Sequence, residues 1–78
     1  MNRERVTILG STGSIGVQTL DIIQRYPERF QVASLVAHSR WEQLAMQARE
    51  FNAESVVIGD VTHYNELKQA LSDTNIEV

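Results

Sequence analysis

Gly10, Gly13 and Gly16 recur at every third position and frame the run Gly-Ser-Thr-Gly-Ser-Ile-Gly, whose residue types suit the holding of a nucleotide pyrophosphate. A phosphate needs backbone N–H groups that can come near it, and a Cβ at Gly13 would stand in the way. Gly10 lets the chain leave a strand through dihedrals that a side chain resists. Gly16, one turn into a following helix, allows that helix to sit close against the first strand. The free N–H groups of the helix start, reinforced by the positive end of its dipole, then face the anion. Thr12 and Ser14 add hydroxyl donors at the same mouth.

The spacing G-x-x-G-x-x-G differs from the commoner G-x-G-x-x-G fingerprint, and glycines alone also fit a strand-to-helix turn built only for packing. The flanks favour the nucleotide. Val6-Thr7-Ile8-Leu9 precedes the run as an apolar strand expected to be buried on both faces of a parallel sheet. Behind it, the apolar positions Gly16, Leu20 and Ile23 follow helical spacing, so a first helix is expected from 14 to about 25, ended by Pro27.

Further along, residues 30–37 have the length and apolar density of a second strand, and one helix bridging two strands makes a right-handed crossover unit. Trp41, Leu44, Ala45, Ala48 and Phe51 then recur at helical spacing, and Ser39 with Glu42 has the form of a capping box, which starts this second helix at Ser39. Residues 55–58 form a third strand closed by Gly59-Asp60. Tyr64, Leu67 and Leu71 mark one face of a third helix from about 62 to 71, and residues 75–78 open a fourth strand. The fold class is therefore α/β, a Rossmann-like doubly wound parallel sheet represented by its first half.

Such a sheet binds its ligand at the carboxyl ends of its strands. Two segments lie there, the glycine run and His38-Ser39-Arg40. A sheet that selects NAD places an acidic residue after the second strand to bind the ribose 2′-hydroxyl, and that carboxylate repels a 2′-phosphate. No Asp or Glu occupies positions 37–41, whereas Arg40 and Ser39 offer a fixed cation and a hydroxyl. An arginine suits a phosphate better than a hydroxyl, so the expected cofactor is NADP(H).

Composition sets the outer bounds. The 78 residues are 42% hydrophobic, enough for one layered core, although a chain this short buries a smaller share of its surface than a larger domain. A net charge of −3 with seven scattered basic residues leaves no footprint for nucleic acid. The absence of cysteine removes disulfides, thiol catalysis and cysteine-ligated zinc, and fits a reducing compartment. Met1-Asn2-Arg3-Glu4-Arg5 carries both charge signs before an apolar run of only four residues, which is neither a signal peptide nor a membrane span. The expected location is the cytoplasm.

The run Val-Thr-Ile-Leu-Gly-Ser-Thr-Gly-Ser-Ile-Gly, with Thr19-Leu20-Asp21, Pro27-Glu28, Phe30, Leu35-Val36-Ala37 and Gln47-Ala48-Arg49-Glu50-Phe51, resembles the N-terminal NADPH-binding segment of the 1-deoxy-D-xylulose 5-phosphate reductoisomerases. The resemblance spans essentially the whole chain. It implies an enzyme of non-mevalonate isoprenoid biosynthesis that rearranges a phosphorylated sugar substrate and reduces it with NADPH to 2-C-methyl-D-erythritol 4-phosphate, using a divalent metal, Mg or Mn, and assembling as a homodimer. It places the phosphate-loop contacts on Thr12, Gly13, Ser14 and Ile15, and the adenosine-phosphate contacts on His38, Ser39 and Arg40, where this chain departs from the family's Gly-Lys-Asn form. It also places the metal ligands and substrate-binding residues beyond Val78, so that residues 1–78 are a partial nucleotide domain, inactive alone, with the catalytic and C-terminal domains elsewhere.

Other readings stand beside these. Ser39 is a helix cap, a phosphate ligand, or both. His38 reads as a strand-end surface residue and His63 as a solvated first-turn residue. Trp41 and Phe51 read as core of the second helix, with Trp41 also a candidate to border an adenine. Asp21 and Asp60 each lack a second acid at a chemically useful spacing. At the level of function, another oxidoreductase with the same glycine spacing, or a non-catalytic NADP(H)-sensing module, shares these features. A half sheet would leave an unpaired edge and an incomplete helix layer, with the faces around Leu44 and Leu67 short of partners on one side.

Overall fold

A computed structural model describes residues 3–78. Met1 and Asn2, read above as part of the mixed-charge start, lie outside the described residues. The elements alternate as the sequence pattern predicts: β1 (Glu4–Leu9), α1 (Ser14–Gln24), β2 (Phe30–Ala37), α2 (Trp41–Phe51), β3 (Ser55–Ile58), a 3-10 turn (Val61–His63) and α3 (Tyr64–Ala70). The three strands run parallel in the order β1-β2-β3. Sequential neighbours joined by right-handed crossovers carry their helices on one face, and a single core confirms it. Leu20 and Ile23 of α1, Leu44, Ala45 and Ala48 of α2 and Leu67 of α3 share one buried cluster with Ile8, Val32, Leu35, Val56 and Ile58 of the sheet.

The register carries one irregularity. Val6 pairs with Val32 but Thr7 pairs with Ser34, so Ala33 has no partner across the ladder from β1. Residues 75–78 do not form a full strand. They make one parallel bridge, Ser55 with Glu77, in which Val56 N–H donates to Glu77 O at 2.8 Å and Glu77 N–H to Glu54 O at 3.0 Å. The bridge lies on the free side of β3, which leaves the outer edge of β1 unpaired among the described residues.

Several expectations are corrected here. The strand β1 is not buried on both faces: Ile8 points into the helix layer, while Leu9 is 78% exposed on the opposite face. The helix faces around Leu44 and Leu67 do not lack partners, since both side chains are fully buried between α2, α3 and the sheet. What lacks a layer is the other face of the sheet. There Leu9, Val36 and Val57 stand in register as an apolar row at the carboxyl end. Below it Thr7, Ser34 and Ser55 form a hydroxyl row, and then Arg5 meets Glu54 through Nε and Nη2 at 3.0 and 2.8 Å, with Gln31 Nε2 donating to Glu54 at 3.2 Å.

Helix boundaries differ for local reasons. The second helix starts at Trp41, not Ser39, because Trp41 N–H donates back to Ser39 O at 2.8 Å in a tight turn. Arg40 is its N-cap, and the Ser39 hydroxyl does not form the expected capping box. The helix ends on Asn52 in the left-handed conformation, φ 51°, a residue type that tolerates it. The third helix is entered through the 3-10 turn; Tyr64, its first residue, is exposed, and Leu67 and Leu71 form the buried pair. Trp41 and Phe51 are half-buried against the core, as their spacing predicts.

Candidate nucleotide site

Three loops follow the carboxyl ends of the strands, and the backbone stitches them together. The N–H groups of Gly10 and Ser11 both donate to Val36 O in β2, at 2.8 and 3.0 Å, which ties the first loop to the second strand. Gly59 N–H donates to Ala37 O at 2.9 Å and Asp60 N–H to His38 O at 2.8 Å, which ties the third loop to the second. A Cβ on Gly59 would approach His38 Nδ1 to 2.8 Å, so the glycine gives the imidazole its space.

The first loop has the geometry its glycines imply. Gly10 sits at φ +72°, the left-handed region that favours glycine. Gly13 N–H turns back to Gly10 O at 3.0 Å, and Gly13 then serves as N-cap of α1, without a side chain to satisfy the helix start. Val17 N–H is the first to find a helical acceptor, Gly13 O at 2.9 Å. The N–H groups of Thr12, Ser14, Ile15 and Gly16 meet no acceptor among the described residues. Thr12 is half-buried, while Gly13, Ser14 and Ile15 are exposed. Four unpartnered donors at the positive end of an 11-residue helix make an anion cradle of the kind a pyrophosphate fits.

Behind the cradle lie two residues that sequence reasoning missed. Ser11 is fully buried, and Gln47 of α2, 8% exposed, donates from Nε2 to Ser11 O at 2.8 Å. The Ser11 hydroxyl and Gln47 Oε1 are buried with no partner among the described residues. The signal for Gln47 was present: it lies three residues after Leu44, on the face otherwise built from Leu44, Ala48 and Phe51. An amide on an apolar helix face needs a partner, since burying it alone is costly.

The second loop brings His38, Ser39 and Arg40 to the same edge, all three exposed. Ser39, Arg40, Trp41, Glu42, Gln43 and His63 line an open groove of about 400 Å³. Arg40 enters no ion pair among the described residues, so its guanidinium is available. His63, expected to be solvated, is instead half-buried and held, with Nδ1 3.0 Å from Glu66 Oε1 and Nε2 3.9 Å from Asp60 Oδ2. Asp60 accepts from the Thr62 hydroxyl at 2.6 Å and the Thr62 N–H at 3.0 Å, and these bonds hold its carboxyl below the usual aspartate range. That places Asp60 as a cap for the 3-10 turn. A cavity of about 200 Å³ between Ile23, Phe30, Val32 and Phe51 lies at the opposite, amino end of the strands and has no part in the cradle.

Among the described residues no group of three or more His, Cys, Asp or Glu side chains is placed to hold a metal ion, and no helix is long and apolar enough to cross a membrane. The sequence model described as 1-deoxy-D-xylulose 5-phosphate reductoisomerase matches residues 6–78. The chain belongs to this family. Among curated relatives, the reductoisomerase of Laribacter hongkongensis is 45% identical over 75 residues, covering 96% of this chain and 19% of the relative. That of Sinorhizobium medicae is 51% identical over 78 aligned residues, covering 97% and 20%. Among solved structures, the reductoisomerase of Zymomonas mobilis in complex with NADPH superposes with a TM-score of 0.94 at 45% identity, over 97% of this chain and 20% of that one. A reductoisomerase in complex with NADPH, fosmidomycin and magnesium superposes with a TM-score of 0.85 at 35% identity, over 95% and 19%. The chain thus spans about a fifth of the length of the relatives it matches. Its Rossmann-like α/β fold is that of the nucleotide-binding part of reductoisomerases.

Proposed function

We propose that this chain is the NADPH-binding part of a 1-deoxy-D-xylulose 5-phosphate reductoisomerase. The observation that carries the reading is the juxtaposition, on one sheet edge, of four unpartnered N–H donors at the start of α1 with an unpaired Arg40 after β2. Thr12, Gly13, Ser14 and Ile15 hold the pyrophosphate through their backbone, and the Thr12 and Ser14 hydroxyls add donors. His38, Ser39 and Arg40 receive the adenosine 2′-phosphate, with Arg40 as the fixed cation. Positions 37–41, at the end of β2, hold no carboxylate to repel that phosphate.

When bound, NADPH supplies a hydride. The residues of this chain bind and orient it and do no proton chemistry. The phosphorylated sugar substrate and the divalent metal, Mg or Mn, belong to the activity of the whole protein, as does assembly into a homodimer in the cytoplasm. The names of the relatives support the substrate, and the NADPH and magnesium in the related structures support the cofactor and the metal.

Titration with NADPH and NADH, followed by nicotinamide fluorescence, tests the reading. NADPH is expected to bind more tightly by about tenfold or more, the scale of one good charge-assisted contact. Equal affinities, or no binding of either, would overturn it.

A further inference from the structure

We infer that Gln47 is a positioning residue for the nucleotide, setting the direction of the Thr12 N–H by holding the peptide that links Ser11 to Thr12. The inference rests on the proposed NADPH reading and adds to it a residue that touches no part of the ligand.

Peptide planarity fixes the two groups relative to each other. In a trans peptide the carbonyl of one residue and the N–H of the next point in opposite directions. The Ser11 carbonyl is drawn inward, to Gln47 Nε2 at 2.8 Å. The Thr12 N–H must therefore point outward, away from the core, and it meets no acceptor among the described residues. Rotating this peptide would bury the N–H and turn a carbonyl oxygen toward an incoming phosphate.

That rotation turns on ψ of Ser11 and φ of Thr12, and apart from the Gln47 bond neither the Ser11 carbonyl nor the Thr12 N–H has a hydrogen-bond partner among the described residues. Gly10, at φ +72°, and Gly13 are conformationally permissive residues on either side of Ser11-Thr12. The hydroxyl of Ser11 makes no hydrogen bond that would fix it. The Gln47 amide is thus the side chain that selects one orientation, and it does so from a rigid helix whose Leu44, Ala45 and Ala48 are locked in the core. Its cost is visible: Gln47 is buried with Oε1 unpartnered, an expensive arrangement if the residue served packing alone.

The test uses two near-isosteric variants, Gln47→Met and Gln47→Glu, in the intact protein that carries this segment. Met removes the donor and keeps the volume. NADPH affinity is expected to fall about tenfold or more, with KM for NADPH raised and kcat little changed, since one hydrogen bond to a buried carbonyl is lost. An ionised Glu cannot donate to the carbonyl, but a protonated one can. Asp21 of α1, paired with Arg25 at 2.9 Å, and Glu50 of α2 line the cleft beside Gln47, and like charge raises the pKa of an introduced carboxyl. The affinity of Gln47→Glu should therefore recover as pH falls, while that of Gln47→Met follows the parent.

Should Gln47→Glu fail to fold, the Thr12 amide decides. Its NMR resonance should shift on NADPH addition in the parent and lose most of that shift in Gln47→Met. A Met variant that binds NADPH within about twofold of the parent would overturn the inference while leaving the NADPH reading intact. A parent that binds no NADPH would overturn both.

Discussion

A Cβ placed on Gly16 would fall 2.2 Å from the carbonyl oxygen of Gly10 and 2.6 Å from the α-carbon of Ser11. Both obstacles are backbone, so no side chain can swing aside. The third glycine of the run is therefore a packing residue, bringing the first turn of α1 against the loop it follows. Gly16→Ala is expected to destabilise the fold by about 2–3 kcal/mol, at the upper end for overpacking, and to weaken nucleotide binding with it. Denaturant melts of parent and variant measure this, and an unchanged midpoint would refute the assigned role.

Gly13 behaves differently. A Cβ there would meet only Gly10 O, at 3.4 Å, and the residue sits at φ −80°, which any side chain adopts. Its glycine is not required by the fold, which leaves the ligand. Gly13→Val should keep its helical circular dichroism and lose NADPH binding, because the added methyls stand where the pyrophosphate meets the N–H donors. Retained binding would make the loop a packing turn.

The contrast shows what was legible in the sequence. β2 and β3 coincide with their apolar runs, β2 between two strands and β3 between β2 and the Glu77 bridge. The left-handed turn at Gly10 and the close packing at Gly16 followed from spacing. The second helix was misplaced by two residues because the Ser39…Glu42 pattern is local, whereas the Ser39-to-Trp41 turn that displaces it depends on how β2 delivers the chain. Tyr64 was put on the buried face by its spacing to Leu67 and Leu71, but as the first residue of α3 it stands exposed. Gln47 stayed hidden because its partner is a backbone carbonyl 36 positions away, and carbonyls have no sequence signature.

In the proposed reading, Arg40 carries the cofactor preference. It is exposed, lines the groove after β2 and is unpaired among the described residues. Arg40→Glu should narrow or invert the NADPH-over-NADH ratio, since a carboxylate repels the 2′-phosphate and can accept from a 2′-hydroxyl. Competitive titration of the variant with the two cofactors measures the ratio; a value matching the parent would move the 2′-phosphate away from this loop.

The third loop responds to pH. Asp60 is held below its ordinary value of 3.8, first by the Thr62 hydroxyl and then by the Thr62 N–H. For a carboxyl depressed on folding, the stabilisation is present above the unfolded value and is lost as pH falls through the lower folded value. Asp60→Asn, which keeps an acceptor but cannot ionise, should therefore be less stable than the parent at neutral pH and converge with it as pH falls through the lowered folded value. Thermal melts across that range measure the convergence, and a constant difference would show that the charge of Asp60 contributes nothing.

The uncovered sheet face makes the last prediction. Leu9, 78% exposed, and Val57, 52% exposed, flank Val36 in register, so the carboxyl half of this face presents three apolar side chains in a row. The amino half is sealed by its own polar groups, the Arg5–Glu54 pair and the Thr7, Ser34 and Ser55 hydroxyls. Beside the apolar row runs the outer edge of β1, whose backbone groups are unpaired among the described residues. An apolar strip next to an open edge is the arrangement by which sheets associate. The 78-residue chain, expressed alone, should therefore self-associate at micromolar concentrations by sedimentation and unfold with little stability. Leu9→Lys puts a charge on both the strip and the edge strand without touching the buried cluster, and should return the chain to a monomer with its helical signal intact. A parent that sediments as a monomer and melts in one sharp transition would show that the single helix layer is sufficient and that the open face needs no cover.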